Sequence, residues 1–186
     1  MVASKKSFYL YALGIPSVLV ILDQLTKFWA TRYFGLPFNI CEDNPYIGAT
    51  MENSAPKYFA DMSPIVDLAM TCNQGVSFGM LSGDSPAKRW GLTIFAVIMV
   101  IIMLFILART TEKWTRLGLS LIIAGAVGNG IDRFMHGSVT DFISVDQLLP
   151  FFPWIFNIAD SAITIGVMFI ALDIFLEWRK EKQVQK

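Results

Sequence analysis

The chain has 186 residues, of which 54% are hydrophobic and 16% charged, and its mean hydropathy is +0.53. This composition is too apolar for an ordinary soluble domain and indicates that much of the chain lies in lipid. Fifteen basic and fifteen acidic residues cancel, so the charge gives no support for nucleic-acid binding. The only histidine, His136, excludes a zinc site built from several imidazoles, and we expect neither a metal nor a cofactor.

Four segments can cross a membrane as helices, because about 20 apolar residues span a bilayer core of roughly 30 Å. They cover residues 8–29, 90–108, 117–134 and 155–178. The first follows Lys5 and Lys6, as the apolar part of a signal peptide does, but it continues to Trp29 without a small-residue cleavage site. We therefore predict a bundle of four transmembrane helices forming one membrane domain over residues 1–186.

The placement of Lys and Arg predicts the orientation of these helices, because basic flanking residues resist translocation. Basic residues stand before the first helix, between the second and third (109–116) and after the fourth (179–186). The connection 135–154 contains none. Both termini are therefore expected in the cytoplasm, with segments 30–89 and 135–154 outside.

The outer segments carry two further patterns. The stretch 65–80 has alternation typical of short strands and predicts a small extracytoplasmic β-sheet. The loop 135–154 holds an apolar cluster that suits an interfacial loop or helix, although an ordinary aromatic belt explains it equally well. That cluster comprises Leu148, Leu149, Phe151, Phe152 and Trp154.

The two cysteines, Cys41 and Cys72, are too few for a disulfide framework and lack a CxxC spacing. A single bridge between them is left open by the sequence. As a nucleophile Cys72 needs a nearby base, and His136 stands on another segment, so we interpret Cys72 as a structural or incidental thiol.

Several acidic residues in or beside the helices fall at one depth. At 1.5 Å rise per residue, Asp23 and Asp132 each lie about 22 Å above the cytoplasmic end of their helices. Asp160 lies about 6 to 8 Å below the outer end of the fourth helix, and Asp141 follows the third helix closely. Four acids are thus expected to converge near the outer surface, whereas Asp173 is predicted to be a solvated charge at the cytoplasmic end.

Two of these acids have basic neighbours that suggest structural ion pairs. Asp23 stands four residues before Lys27, the favourable order on a helix. Asp132 is followed by Arg133, and we expect its partner to be Arg133 or another neighbour. We interpret Asp23 and Asp132 as structural support rather than as catalytic groups.

Asp141 and Asp160 differ, because apart from Arg133 no Lys or Arg stands near them in sequence. Two carboxyls in a low-dielectric site cannot easily both ionise, so they are expected to share a proton. A carboxylate that activates water beside a carboxylic acid that protonates a carbonyl is what metal-free peptide hydrolysis requires. A proton or ion relay in a transporter, or polar packing in a structural subunit, explains buried acids as well.

Five motifs, taken in order, resemble the lipoprotein signal peptidase family, also called signal peptidase II. They are Asp23-Gln24-Leu25-Thr26-Lys27, Asn73-Gln74-Gly75-Val76-Ser77-Phe78, Gly128-Asn129-Gly130-Ile131-Asp132-Arg133, Val139-Thr140-Asp141-Phe142-Ile143 and Phe156-Asn157-Ile158-Ala159-Asp160. The sequence departs from the pattern in a longer segment between the first two motifs, with extra residues around 41–61, and in Cys72 directly before Asn73.

The resemblance implies an intramembrane aspartyl endopeptidase with Asp141 and Asp160 as the catalytic pair. It implies that other motif residues hold the substrate or shape the site, namely Asn73, Gly75, Asn129, Arg133 and Asn157, and that three are structural support, namely Asp23, Lys27 and Asp132. The implied substrate is a prolipoprotein whose cysteine carries diacylglyceryl, cut just before that cysteine. The implied location is the bacterial inner membrane, with the site near the outer leaflet and membrane lipid around a protein that we expect to be monomeric.

Overall fold

A computed structural model of the chain describes residues 5–43, 58–75, 86–146, 148 and 154–184. Four helices are long and apolar enough to cross a membrane: Ser7–Tyr33, Ala87–Arg109, Lys113–His136 and Ile158–Gln183. The predicted architecture of four membrane helices with a small β-sheet is confirmed. The helices are α1 (Lys5–Tyr9), α2 (Ile15–Tyr33), α3 (Ile40–Asp43), α4 (Pro86–Arg109), α5 (Lys113–His136) and α6 (Ile158–Val184); the strands are β1 (Phe59–Asp61), β2 (Asp67–Asn73) and β3 (Val139–Ser144).

The first membrane helix contains a π-helical turn, Leu10–Gly14, between α1 and α2. Ile15 donates its N–H to the Leu10 carbonyl, five residues back, and Pro16 has no N–H to donate. The Tyr11 carbonyl instead accepts a hydrogen bond from Ser120 Oγ of α5 at 2.5 Å. A backbone irregularity inside the membrane is thereby satisfied by a neighbouring helix.

Helix α5 packs against α2, α4 and α6, and its closest approach is to α6. Glycines make this approach possible, as small residues do between helices in lipid. A Cβ on Gly118 would stand 2.5 Å from the Gly166 carbonyl oxygen, and one on Gly166 would stand 2.6 Å from the Gly118 carbonyl oxygen. The two backbones are therefore in direct contact, which fixes α6 on α5.

The sheet has three antiparallel strands in the order β1-β2-β3. Only β2 lies within the stretch 65–80 for which strands were predicted, and residues 76–80 of that stretch lie outside the described residues. Strand β3 lies in the connection 135–154, where no strand was predicted. Because β3 joins the last residues of α5 to the first of α6, the sheet lies at one end of the bundle, which we call the sheet end.

The prediction that Asp173 is a solvated charge is wrong. Asp173 is buried rather than solvated, and its Oδ2 accepts hydrogen bonds from the backbone N–H of Thr115 at 3.2 Å and from Thr115 Oγ1 at 2.5 Å. Thr115 lies in the first turn of α5, where backbone N–H groups lack helical partners. A side chain of α6 thus caps α5 at the end of the bundle opposite the sheet.

The predicted apolar cluster of the last connection is only partly described. Leu148 is exposed and Trp154 is half-buried, whereas Leu149, Phe151 and Phe152 lie outside the described residues. The fourth helix was expected from residue 155 but begins at Ile158, because Asn157 caps its first turn.

Candidate active site

A buried lysine holds two aspartates together. Lys27 Nζ lies 2.8 Å from Asp23 Oδ2 and 2.9 Å from Asp132 Oδ2, and all three side chains are almost completely buried. The ion pair expected between Asp23 and Lys27 is present. The partner of Asp132 is Lys27 rather than Arg133, because α2 packs against α5 at this level and brings the ammonium between both carboxylates.

The same two carboxylates also fix the neighbouring elements. Asp23 Oδ1 accepts a hydrogen bond from the Ala159 N–H at 2.9 Å, in the first turn of α6. Asp132 Oδ2 accepts one from the Thr140 N–H at 3.1 Å, in β3. Ala159 directly precedes Asp160, and Thr140 directly precedes Asp141. Asp23, Lys27 and Asp132, which we call the lysine cluster, therefore position the backbone that carries both acids.

Asp141 lies in β3 and is buried, with 1% of its surface exposed. Its Oδ1 accepts a hydrogen bond from Asn157 Nδ2 at 2.6 Å, and its Oδ2 accepts one from Asn73 Nδ2 at 3.1 Å. The register between β2 and β3 shifts between Leu68 and Thr71, and Thr71 is the residue that pairs with Asp141. Such an irregularity re-aims side chains, and it stands directly beside this carboxyl.

Asp160 lies in the first turn of α6, where it forms a reciprocal capping pair with Asn157. The Asp160 N–H donates to Asn157 Oδ1 at 2.9 Å, and the Asn157 N–H donates to Asp160 Oδ2 at 3.3 Å. Asp160 Oδ1 accepts a further hydrogen bond from Asn129 Nδ2 at 2.8 Å. The Asn-x-x-Asp spacing at residues 157–160 is a sequence pattern that can indicate such a cap.

Asn157 also joins the two candidate catalytic groups. Its side-chain amide donates to Asp141 Oδ1, and its backbone N–H donates to Asp160 Oδ2. The same amide contacts Asn129 Oδ1 at 3.1 Å, and Lys27 Nζ donates to that oxygen at 3.3 Å. One continuous hydrogen-bond network therefore runs from the lysine cluster through two asparagines to both acids.

The remaining motif residues form a second side of the site. Arg133 Nη2 donates to the Gly75 carbonyl at 2.9 Å, and the Gly75 N–H donates to Asn73 Oδ1 at 3.0 Å. Arg133 Nε is buried and has no hydrogen-bond partner within the described part of the chain. The guanidinium interacts electrostatically with Asp141 and Asp160.

The electrostatic setting of the two acids is unequal. Burial raises the pKa of Asp141 well above its ordinary value near 3.8, and the negative charge of Asp160 raises it further. Lys27 and the amides of Asn73 and Asn157 act in the opposite direction but do not reverse the shift. Asp160 is only partly buried and accepts hydrogen bonds on both oxygens. The arrangement favours a protonated Asp141 beside the less buried carboxyl of Asp160.

The two cysteines and the histidine do not contribute such chemistry. Cys41 and Cys72 form a disulfide, so the pairing left open by the sequence occurs and Cys72 is not a free nucleophile. His136 is buried against Phe38, with ring centroids 5.2 Å apart, and neither ring nitrogen has a hydrogen-bond partner among the described residues.

A candidate metal cluster lies elsewhere. Within the described residues, Glu112, Asp173 and Glu177 bring three carboxylate oxygens within 4.8 Å of one another. This group is at the end of the bundle opposite the sheet, and Asp173 already accepts two hydrogen bonds from Thr115. It has no contact with the acids at the sheet end.

Comparison with known proteins gives one family. The sequence model described as Signal peptidase (SPase) II matches residues 15–176, which is most of the chain. The chain belongs to the signal peptidase II family.

Curated relatives and solved structures agree with this membership. A lipoprotein signal peptidase of Caulobacter vibrioides is 39% identical over 166 residues, covering 89% of this chain and 86% of that protein. One of Brevibacillus brevis is 36% identical over 170 residues, covering 90% and 97%. Two solved structures titled as bacterial membrane enzymes superpose with TM-scores of 0.67 and 0.62, at 28% and 31% identity, covering 89% and 88% of this chain and 88% and 91% of theirs.

Membership in the signal peptidase II family makes the chain an aspartic endopeptidase and a multi-pass protein of a bacterial membrane. Asp141 and Asp160, both in contact with Asn157, lie at the sheet end of this chain.

Proposed function

We propose that this chain removes signal peptides from prolipoproteins whose cysteine carries diacylglyceryl, cutting just before that cysteine with Asp141 and Asp160 as the catalytic pair. The observation that carries the proposal is the shared contact of both carboxyls with Asn157. It keeps the two acids in one site although they belong to a strand and a helix. A water between them can therefore meet a base and an acid together.

The unequal surroundings of the two acids support different roles for them. Asp160, the less buried of the two acids, acts as the base and takes a proton from water, and the resulting hydroxide attacks the carbonyl carbon of the scissile peptide. Asp141, protonated because of burial, donates its proton to the carbonyl oxygen, which gives a neutral tetrahedral diol. When the C–N bond breaks, Asp160 returns its proton to the leaving nitrogen and a diol hydroxyl reprotonates Asp141. The products are a signal peptide ending in a carboxylic acid and a free amine on the lipid-modified cysteine, and the carboxylic acid then passes its proton to the amine or to solvent.

The neighbouring polar residues support substrate binding and positioning in this scheme. Arg133 Nε is a buried donor without a partner among the described residues and can donate to a substrate backbone carbonyl. Gly75 and Asn73 connect the arginine to Asp141 through successive hydrogen bonds. Asn129 and Asn157 hold the acids, whereas Asp23, Lys27 and Asp132 hold the backbone beneath them.

The outer face of the bacterial inner membrane suits this site. Basic residues at the chain termini and between α4 and α5 favour a cytoplasmic position for the end opposite the sheet. The disulfide at the sheet end favours an oxidising compartment there. A diacylglyceryl-cysteine at the outer surface, with its acyl chains in the bilayer, then has its scissile bond at the level of the two acids.

The test uses purified enzyme in detergent or vesicles with a diacylglyceryl-modified precursor and the same precursor without lipid. Mass spectrometry should find a new amino terminus at the lipid-modified cysteine, and only for the modified precursor. Asp141→Asn and Asp160→Asn should each abolish cleavage while remaining folded. Asp173→Asn, which changes a buried acid at the opposite end, is the matched control and should still cleave. Cleavage by Asp160→Asn at the normal rate would overturn the proposal.

A further inference from the structure

The disulfide joins the longer segment of this chain to the strand that carries Asn73. Cys41 lies in α3, at the start of the extra residues around 41–61. Cys72 lies in β2, directly before Asn73, the last residue of that strand. Their Cα atoms are 5.4 Å apart, within the range usual for disulfides, and both side chains are buried. The bond is therefore buried away from solvent, on the face of the sheet opposite Asp141, which we call the back face.

The two faces of the sheet separate the disulfide from the catalytic side. Successive side chains of a strand point to opposite faces, and residues paired across strands share a face. Asn73 pairs with Val139 and thus shares the face of Asp141, two residues further along β3, to which it donates its hydrogen bond. Cys72 pairs with Thr140 on the other face, where Cys41 Sγ lies 3.5 Å from Thr140 Oγ1.

The disulfide is embedded in contacts that hold α3 against this back face. Ser138 Oγ lies 3.5 Å from the Cys41 carbonyl, to which it donates. A buried apolar cluster surrounds the bond, and its members are Ala30, Leu36, Ile40, Leu68, Met70 and Phe142. On the side away from β3, the only described strand that pairs with β2 is the three-residue strand β1. The position of Asn73 at the end of β2 is thus set by its own pairing with Val139 of β3 and, through its neighbour Cys72, by the disulfide.

We propose that the Cys41–Cys72 disulfide is a positioning element of the active site, which fixes the end of β2 so that Asn73 holds the Asp141 carboxyl. This inference rests on the proposed function of Asp141. Formation of the bond converts two thiols into one disulfide and passes two electrons and two protons to a disulfide oxidant of the outer compartment, which becomes a dithiol. The enzyme then reaches full activity only after export of this segment and oxidation.

A double-mutant cycle tests the proposal with Cys41→Ser/Cys72→Ser, Asn73→Ala and the triple variant. Either change should lower kcat for the modified precursor by up to roughly tenfold, the expected cost of one hydrogen bond to the neutral carboxyl, with little change in KM. The triple variant should lose no more than Asn73→Ala alone, because both changes remove the same contact. Hydrogen exchange of residues 139–144 should rise in the double-serine variant.

The pH profile separates positioning from simple stabilisation. The Asn73 amide favours the ionised form of Asp141, so its loss should move the alkaline limb of kcat/KM to higher pH in both variants. A disulfide that only stabilises the fold would lower the melting temperature and leave kcat and this limb unchanged. That result, measured well below the melting temperature, would overturn the inference.

Chemical reduction covers the case in which the double-serine variant does not fold. Wild-type enzyme is treated with dithiothreitol under mild denaturation, returned to detergent, and its thiols are counted by alkylation and mass spectrometry. Activity should fall with the appearance of two thiols and return on reoxidation with oxidised glutathione; full activity of the dithiol form overturns the inference. A wild-type enzyme that cuts no precursor would instead refute the proposed function.

Discussion

Asn157 and Asp160 cap the first turn of α6 for each other, through hydrogen bonds of 2.9 and 3.3 Å between the backbone N–H of one and the side-chain oxygen of the other. The candidate base is therefore part of the helix start rather than an addition to it. The Asn157 amide reaches onward to Asp141 at 2.6 Å. Asn157 thus caps α6 through its side-chain oxygen and holds the Asp141 carboxyl through its side-chain nitrogen.

Substitutions of Asn157 should separate these two roles. Asn157→Ser keeps an oxygen that can cap α6 but loses the amide that donates to Asp141, so cleavage should slow by about twofold to tenfold, the cost of one hydrogen bond to the neutral carboxyl. Asn157→Ala should slow cleavage similarly and also lower stability by about 0.5–2 kcal/mol, because the cap is lost. Rates with the lipid-modified precursor and melting curves from tryptophan fluorescence measure both. A serine variant that cleaves at the normal rate would remove Asn157 from the chemistry.

The pH dependence of stability should report the protonation of Asp141. Its pKa in the folded protein is raised by burial and by Asp160, so the folded state binds more protons than the unfolded state above about pH 3.8. The stabilisation from the protonated carboxyl is complete below that pH and is lost as the pH rises through the raised pKa. The melting temperature of the wild type relative to Asp141→Asn, which cannot titrate at this position, should therefore fall from pH 4 towards neutral pH. A difference that stays constant or rises would show that Asp141 is ionised in the folded enzyme.

The sequence predicted the parts of this site that depend on local pattern. Helix existence follows from apolar length, and the common level of Asp23, Asp132 and Asp160 along their helices follows from helical rise, since both are properties of single segments. Strand β3 was missed because its pairing with β2 joins residues about 70 positions apart, and a short strand carries little signal of its own. The bridging of two acids by Lys27 and the burial of Asp173 also depend on how helices pack, which no local pattern reveals.

Removal of the Lys27 charge should destabilise the protein more than removal of the whole charge cluster. Lys27→Met leaves Asp23 and Asp132 buried without their cation, and breaking a buried pair in this way costs about 3–5 kcal/mol. The triple variant Asp23→Asn/Lys27→Met/Asp132→Asn keeps the side-chain oxygens that accept from Ala159 and Thr140, so it should regain most of the stability. Size-exclusion recovery and melting temperature in detergent give the comparison.

An exposed lysine provides the control for that experiment. Lys180→Met removes a charge from the exposed end of α6 and should have little effect on melting temperature. If Lys27→Met proves as stable as Lys180→Met, the carboxyls must be neutral in the folded protein, and the cluster is held by hydrogen bonds alone.

Two glycines of α5 should respond in opposite ways to the same added methyl group. A Cβ on Gly125 would stand 2.5 Å from Ile163 Cγ1 and would meet the Ala159 carbonyl oxygen, so Gly125→Ala must push away the first turn of α6. We expect a stability loss of about 1–3 kcal/mol from overpacking, together with slower cleavage, because Asp160 follows Ala159 directly.

Gly130 is the matched control, since its Cβ would lie 3.8 Å from Ala96 Cβ, an ordinary contact. Gly130→Ala should be neutral or stabilising by up to about 1 kcal/mol, because alanine has the higher helix propensity. Melting temperature and precursor cleavage of both variants measure the contrast, and equal behaviour would mean that α6 can move away from α5 without disturbing the two aspartates.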